Sequence, residues 1–92
     1  MSAVFDKVIA GLIMNIVAQE ERHVMRDATL QGMDLSHEDT VDHVYANTVA
    51  NVVKRFPDDV QDHIKAMLAG DGLRKSVKTD LQRHADAAWM KR

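Results

Sequence analysis

Apolar residues recur at helical spacing almost everywhere along this chain, and no stretch alternates like a strand for long. Ile9, Ile13 and Ile16 open a stripe of alternating four- and three-residue steps. Carried forward, that stepping lands on Glu20, His23 and Asp27, within "QEERHVMRD", before Leu30 restores the apolar character. A first helix is predicted from about Ala3 to Gln31, with Gly32 as the left-handed residue that stops it. "MDLSHED" follows, where Ser36 is the expected N-cap and Asp39 adds charge near the positive helix end. A second helix then carries Val41, Val44, Tyr45, Thr48, Val49, Val52 and Phe56 on one face. Many of these are β-branched and poor helix formers, so tertiary packing has to hold it. "FPDDVQDHIKAMLAG" ends that helix and begins a short third one. Asp58 and Gln61 have capping-box spacing there, and Val60, Ile64, Met67 and Leu68 are expected to face inward. After "GDG", a fourth helix presents Leu73, Val77, Leu81, Ala85, Ala88 and Trp89. The fold class is all-α: a single helical domain over residues 1–92, a small bundle of about four helices with a long first helix.

The first half of helix one is apolar on nearly every side. Val4, Ala10, Gly11, Met14 and Ala18 lie away from the Ile9–Ile16 stripe, and a helix apolar all round is a buried helix. At 1.5 Å per residue it would extend roughly 43 Å, longer than a compact domain of this size. Three short neighbours cannot surround it. The expectation is self-association as a homodimer, or docking on another protein, through Val4, Ala10, Gly11, Met14 and Ala18. The competing expectation is a kink at Gly11 or Asn15 that folds the helix onto its own chain.

Composition narrows the field. With 46% apolar and 28% charged residues the chain is globular rather than disordered. It has no cysteine, which removes disulfides, thiolate metal sites and a cysteine nucleophile, and fits a reducing cytoplasm. "VIAGLIMNIVA", residues 8 to 18, is too short to span a bilayer and is read as a retained structural segment, with no membrane partner. Net charge is −2 but unevenly spread. Residues 34–62 carry seven acids against two bases, and residues 70–92 carry six bases against three acids. These two regions can pair within one chain, between copies, or with a partner. Glu38, Asp39 and Asp42 are accordingly candidates for steering a protein partner.

Glu20, His23 and Asp27 occupy neighbouring positions on one helix face, and Glu20 with His23 makes E-x-x-H. That element resembles the ligand arrangement of di-iron carboxylate bundles, which use two such motifs and two further carboxylates. This chain has one copy. A metal or proton-handling cluster of Glu20, His23, Asp27 and His84 is therefore one reading, with His23 and His84 as the inward histidines. The other uses the drift of a straight helix, about 20° per heptad, which carries the inward face toward Val17, Val24 and Ala28 and leaves His23 and Asp27 on a rim. Asp39/His43, Asp59/His63 and Asp80/His84 share acid-to-imidazole spacing of one turn, a favourable order on any helix.

No phosphate loop, G-x-S-x-G or H-E-x-x-H is present, and no cofactor or catalytic residue is nominated. Arg74, Lys75, Lys78 and Arg83 could touch nucleic-acid phosphates, although aromatics are scarce and no helix-turn-helix spacing appears. The expected function is a non-enzymatic protein-binding module: an adaptor, inhibitor or regulatory subunit, self-associating through helix one.

Overall fold

The computed structural model describes the backbone of residues 3–90 and the side chains of residues 7–87. It is a four-helix all-α arrangement: α1 (Ala3–Leu30), α2 (Glu38–Val53), α3 (Asp58–Leu68) and α4 (Asp71–Met90). The radius of gyration is 14.5 Å, against about 12 Å for a compact chain of this length. A long first helix accounts for the excess: α1 runs as one helix through Gly11 and Asn15, against the competing expectation of a kink there.

Each boundary has a local cause. Gly32 adopts φ 78°, its N–H donates to the Thr29 carbonyl and the Met33 N–H donates to that of Ala28. This pair of bonds is a Schellman motif, and Met33 packs on the core beside Ala28 as the motif favours. The start of α2 departs from expectation by one residue. Ser36 spends its hydroxyl and N–H on Asp34, and His37 caps the helix instead, its Nδ1 accepting from the Asp39 N–H at 3.1 Å. The capping box at α3 does not form either. Pro57 is the N-cap and Asp58 the first helical residue, while Gln61 reaches back to the Phe56 carbonyl at 2.9 Å. Pro57 suits this point because its missing N–H needs no partner at a helix start.

The short β-branched helix is the centre of the bundle. α2 packs extensively against α1, α3 and α4, whereas α1 meets α4 only lightly. Its face of Thr40, Val41, Val44, Thr48, Val52 and Val53 is buried. One end of it joins Val24, Met25, Ala28, Val77 and Leu81, and the other joins Ile13, Val17, Ile64 and Leu68, with Leu73 touching both groups. Packing on three sides supplies what intrinsic propensity withholds. Tyr45 ties α3 in place by donating its hydroxyl to the terminal Leu68 carbonyl at 3.1 Å, a group left without a partner by the helix end.

The inward stripe of α1 follows the drifted course, through Ile13, Val17, Val24 and Ala28. Ile9, Val60 and Met67, expected inward, are exposed. For α3 the reason is length: eleven residues make three turns, and the pair Ile64 and Leu68 exhausts its contact with the core. The side chains of Val4, Ala88 and Trp89 lie outside those described.

Candidate functional site

Among the described side chains of α1, the first buried one is Ile13. Before and beside it stand Val8 and Leu12, each 55% exposed, Met14 at 50% and Ile9 at 37%. The helix therefore offers two apolar flanks on either side of its core-facing stripe, a consequence of the 100° advance per residue. One flank is the expected small-residue face, where Ala10, Gly11, Met14 and Ala18 are all exposed. A Cβ built on Gly11 meets nothing within 4 Å, so no contact inside the chain calls for glycine there. The other flank holds Ile9 and the half-buried Ile16, both of which a 3.5-residue stepping directs into the core. It forms a groove of about 610 Å³ in which Ile9, Leu12 and Ile16 face Phe56, Val60 and His63 at the α2–α3 corner.

Between α1 and α4 the light packing leaves a cleft of about 300 Å³, lined by Met14, Val17, Ala18, Glu21, Arg22 and Met25 from α1 and by Leu73, Ser76 and Asp80 from α4. Glu21 is 7% exposed, the most deeply buried carboxyl among the described residues. Burial first, then the hydrogen bond and like charge of Asp80, pushes its pKa up to about 8. Burial and a like charge both disfavour the ionised form of Glu21, and no cation stands beside it among the described residues. Drift of the stripe is the signal that could have found Glu21. It lies one turn past Val17 and three residues before Val24, on the drifted inward face.

The acidic and basic regions pair with each other. Arg74 donates to Glu38 at 2.8 Å and to Asp42 at 2.9 Å, and Lys78 donates to Glu38 at 2.6 Å. Lys78 and Arg74 hold the Glu38 carboxyl below the usual carboxylate range, and Glu38 and Asp42 raise Arg74. Glu38 and Asp42 are thus committed to α4, leaving Asp39, Lys75 and Arg83 exposed without a lysine, arginine or carboxylate partner among the described residues. Asp39 stands only 3.7 Å from the His37 ring. Half of the residues proposed for nucleic acid are occupied within the chain.

Glu20, His23, Asp27 and His84 are not brought together. Glu20 pairs with Arg55 at 2.9 Å, which also reaches Gln19, and so fastens the α2 C-terminus to α1. His23 is exposed beside Gln19, Arg22 and Arg26, and His84 is exposed over a separate hollow with Arg22, Arg26 and Leu30. Neither histidine is inward, a correction that follows from the drift. Two arginines near each imidazole oppose a bound cation. Among the described residues no three histidine or carboxylate groups are placed to hold a metal ion, and no helix is long and apolar enough to cross a membrane.

Comparison with protein-family models, curated proteins and solved structures finds no match to this chain.

Proposed function

We propose that this protein is a small non-enzymatic binding module, an adaptor, inhibitor or regulatory subunit of the cytoplasm, whose working surface is the first half of α1. One observation carries the reading: Val8, Ile9, Leu12 and Met14 stand in water on a helix whose first buried side chain, among those described, is Ile13. Large apolar side chains exposed on two flanks of one helix of a protein this small are a sign of an interface. The small-residue flank, Ala10, Gly11, Met14 and Ala18, suits the close approach of a second copy. The groove at Ile9, Leu12 and Ile16 has the shape and lining for the apolar face of a partner helix. The acidic residues Glu38 and Asp42 contribute to α2–α4 packing instead, so of the acidic patch Asp39 is left to steer a partner toward helix one.

Sedimentation equilibrium of the full chain tests this. The wild type is expected to associate in the micromolar range, and Met14→Glu is expected to return it to a monomer, since a carboxylate there would be buried unpaired. Leu12→Glu, on the opposite flank, should leave self-association intact. A wild-type chain that stays monomeric at several hundred micromolar would remove self-association from the proposal.

A further inference from the structure

Lys7, Gly11, Met14, Ala18 and Glu21 follow four- and three-residue steps and therefore share one face of α1. The first four are exposed; the last is buried, lines the α1/α4 cleft, and has no cation within ion-pairing distance among the described residues. Asp80 faces it from α4, with the same sign of charge. Arg22 also lines the cleft, but adjacent helix positions diverge by about 100°, and it pairs with neither carboxylate. The cleft walls are otherwise apolar or hydroxylic, through Met25, Leu73 and Ser76. Such a cleft matches a lysine side chain: apolar along its stem and charged at its tip.

We propose that a second copy of this chain packs antiparallel along this face, centred on Met14, so that Lys7 of each copy enters the other's α1/α4 cleft and pairs with Glu21 and Asp80. Positions equidistant from Met14 then oppose one another. Seven residues to either side place Lys7 against Glu21, four place Ala10 against Ala18, and Met14 meets its own copy. The open space beyond Gly11 is where the second backbone comes close. The proposal rests on the self-association argued above and adds its register and its chemistry. A cation in the cleft favours ionised Glu21, so dimerisation releases protons and tightens as pH rises.

The absence of cysteine allows the register to be read separately from the affinity. Met14→Cys should oxidise to a disulfide-linked dimer under mild oxidant, whereas Leu12→Cys should not. A mixture of Ala10→Cys and Ala18→Cys chains should form the mixed disulfide in preference to either symmetric one. In sedimentation the wild type should associate roughly ten- to a hundredfold more tightly at pH 9 than at pH 7. Lys7→Glu, a surface change, should weaken the dimer at least about tenfold, and Glu21→Gln should flatten the pH dependence. A dimer that cross-links at Leu12 but not at Met14, with Lys7→Glu neutral, overturns the register and leaves the self-association reading standing. A monomer under every condition overturns both.

Discussion

Thr48 and Glu21 are two polar side chains that the bundle buries; among the described residues Thr48 has no hydrogen-bond partner, and Glu21 has Asp80 but no cation. Thr48 is fully buried and its hydroxyl has no hydrogen-bond partner among the described residues. An unpaired buried hydroxyl costs about 1–3 kcal/mol, and valine has the same shape without it. Thr48→Val is therefore expected to stabilise the fold by about 1 kcal/mol, seen as a melting temperature raised by about 4–8 °C. A lowered melting temperature would mean that the hydroxyl is satisfied after all. Glu21 behaves differently because it titrates. Its carboxyl keeps a proton up to about pH 8 in the folded chain, against an ordinary value of 4.5. Between those limits the native state holds a proton that the unfolded chain has released. The stability gained is complete below about pH 4.5 and is lost as pH rises to about 8. Glu21→Gln imitates the protonated form, so in dilute monomer it should abolish this decline and exceed the wild type at pH 9 by on the order of 3 kcal/mol. Denaturant midpoints across pH for the two chains measure it, and parallel curves would contradict the assignment.

At the scale of helices, what the pattern of residues revealed and what it concealed divide along physical lines. Four helices and the Gly32 stop were legible because they depend on local periodicity and on one left-handed residue. Gly32→Ala should cost about 1 kcal/mol for that reason, and a neutral result in thermal melts would deny the Schellman motif its role. The β-branched face of α2 called for tertiary packing, but its central position was not legible, because the apolar first half of α1 pointed to α1 as the buried helix. The caps were misplaced by one residue because Ser36 and His37 compete for the same role and Asp34 decides between them. The burial of Glu21, and the exposure of Ile9, required the true 3.6-residue period and not an idealised 3.5. Pairing between the acidic and basic regions was open from sequence, where within-chain and between-chain partners look alike. The structure fastens α2 to α4 through Arg74, Glu38, Asp42 and Lys78. Arg74→Ala should therefore lower the melting temperature in low salt, and the deficit should shrink in molar salt as these exposed charges are screened. Because Glu38 is held below its ordinary range, its contribution is present at neutral pH and lost on acidification through the carboxylate range.

At the scale of the whole molecule, the governing fact is geometric. α1 is 28 residues long and its partners α2, α3 and α4 have 16, 11 and 20. The core is built around α2, which leaves Val8, Ile9, Leu12 and Met14 of α1 in solvent. A second molecule laid along the small-residue flank would cover Met14 without disturbing the bundle, while Ile9 and Leu12 stay open on the other flank. The most direct measurement is an isotope-filtered nuclear Overhauser experiment on a mixture of carbon-13-labelled and unlabelled chains, which records only contacts between copies. Contacts from the Met14 methyl group and the Ala10 and Ala18 methyl groups to the unlabelled chain are expected, strengthening from pH 7 to pH 9. Their absence at millimolar concentration, or contacts arising only from distant methyl groups such as those of Leu30, would contradict the account.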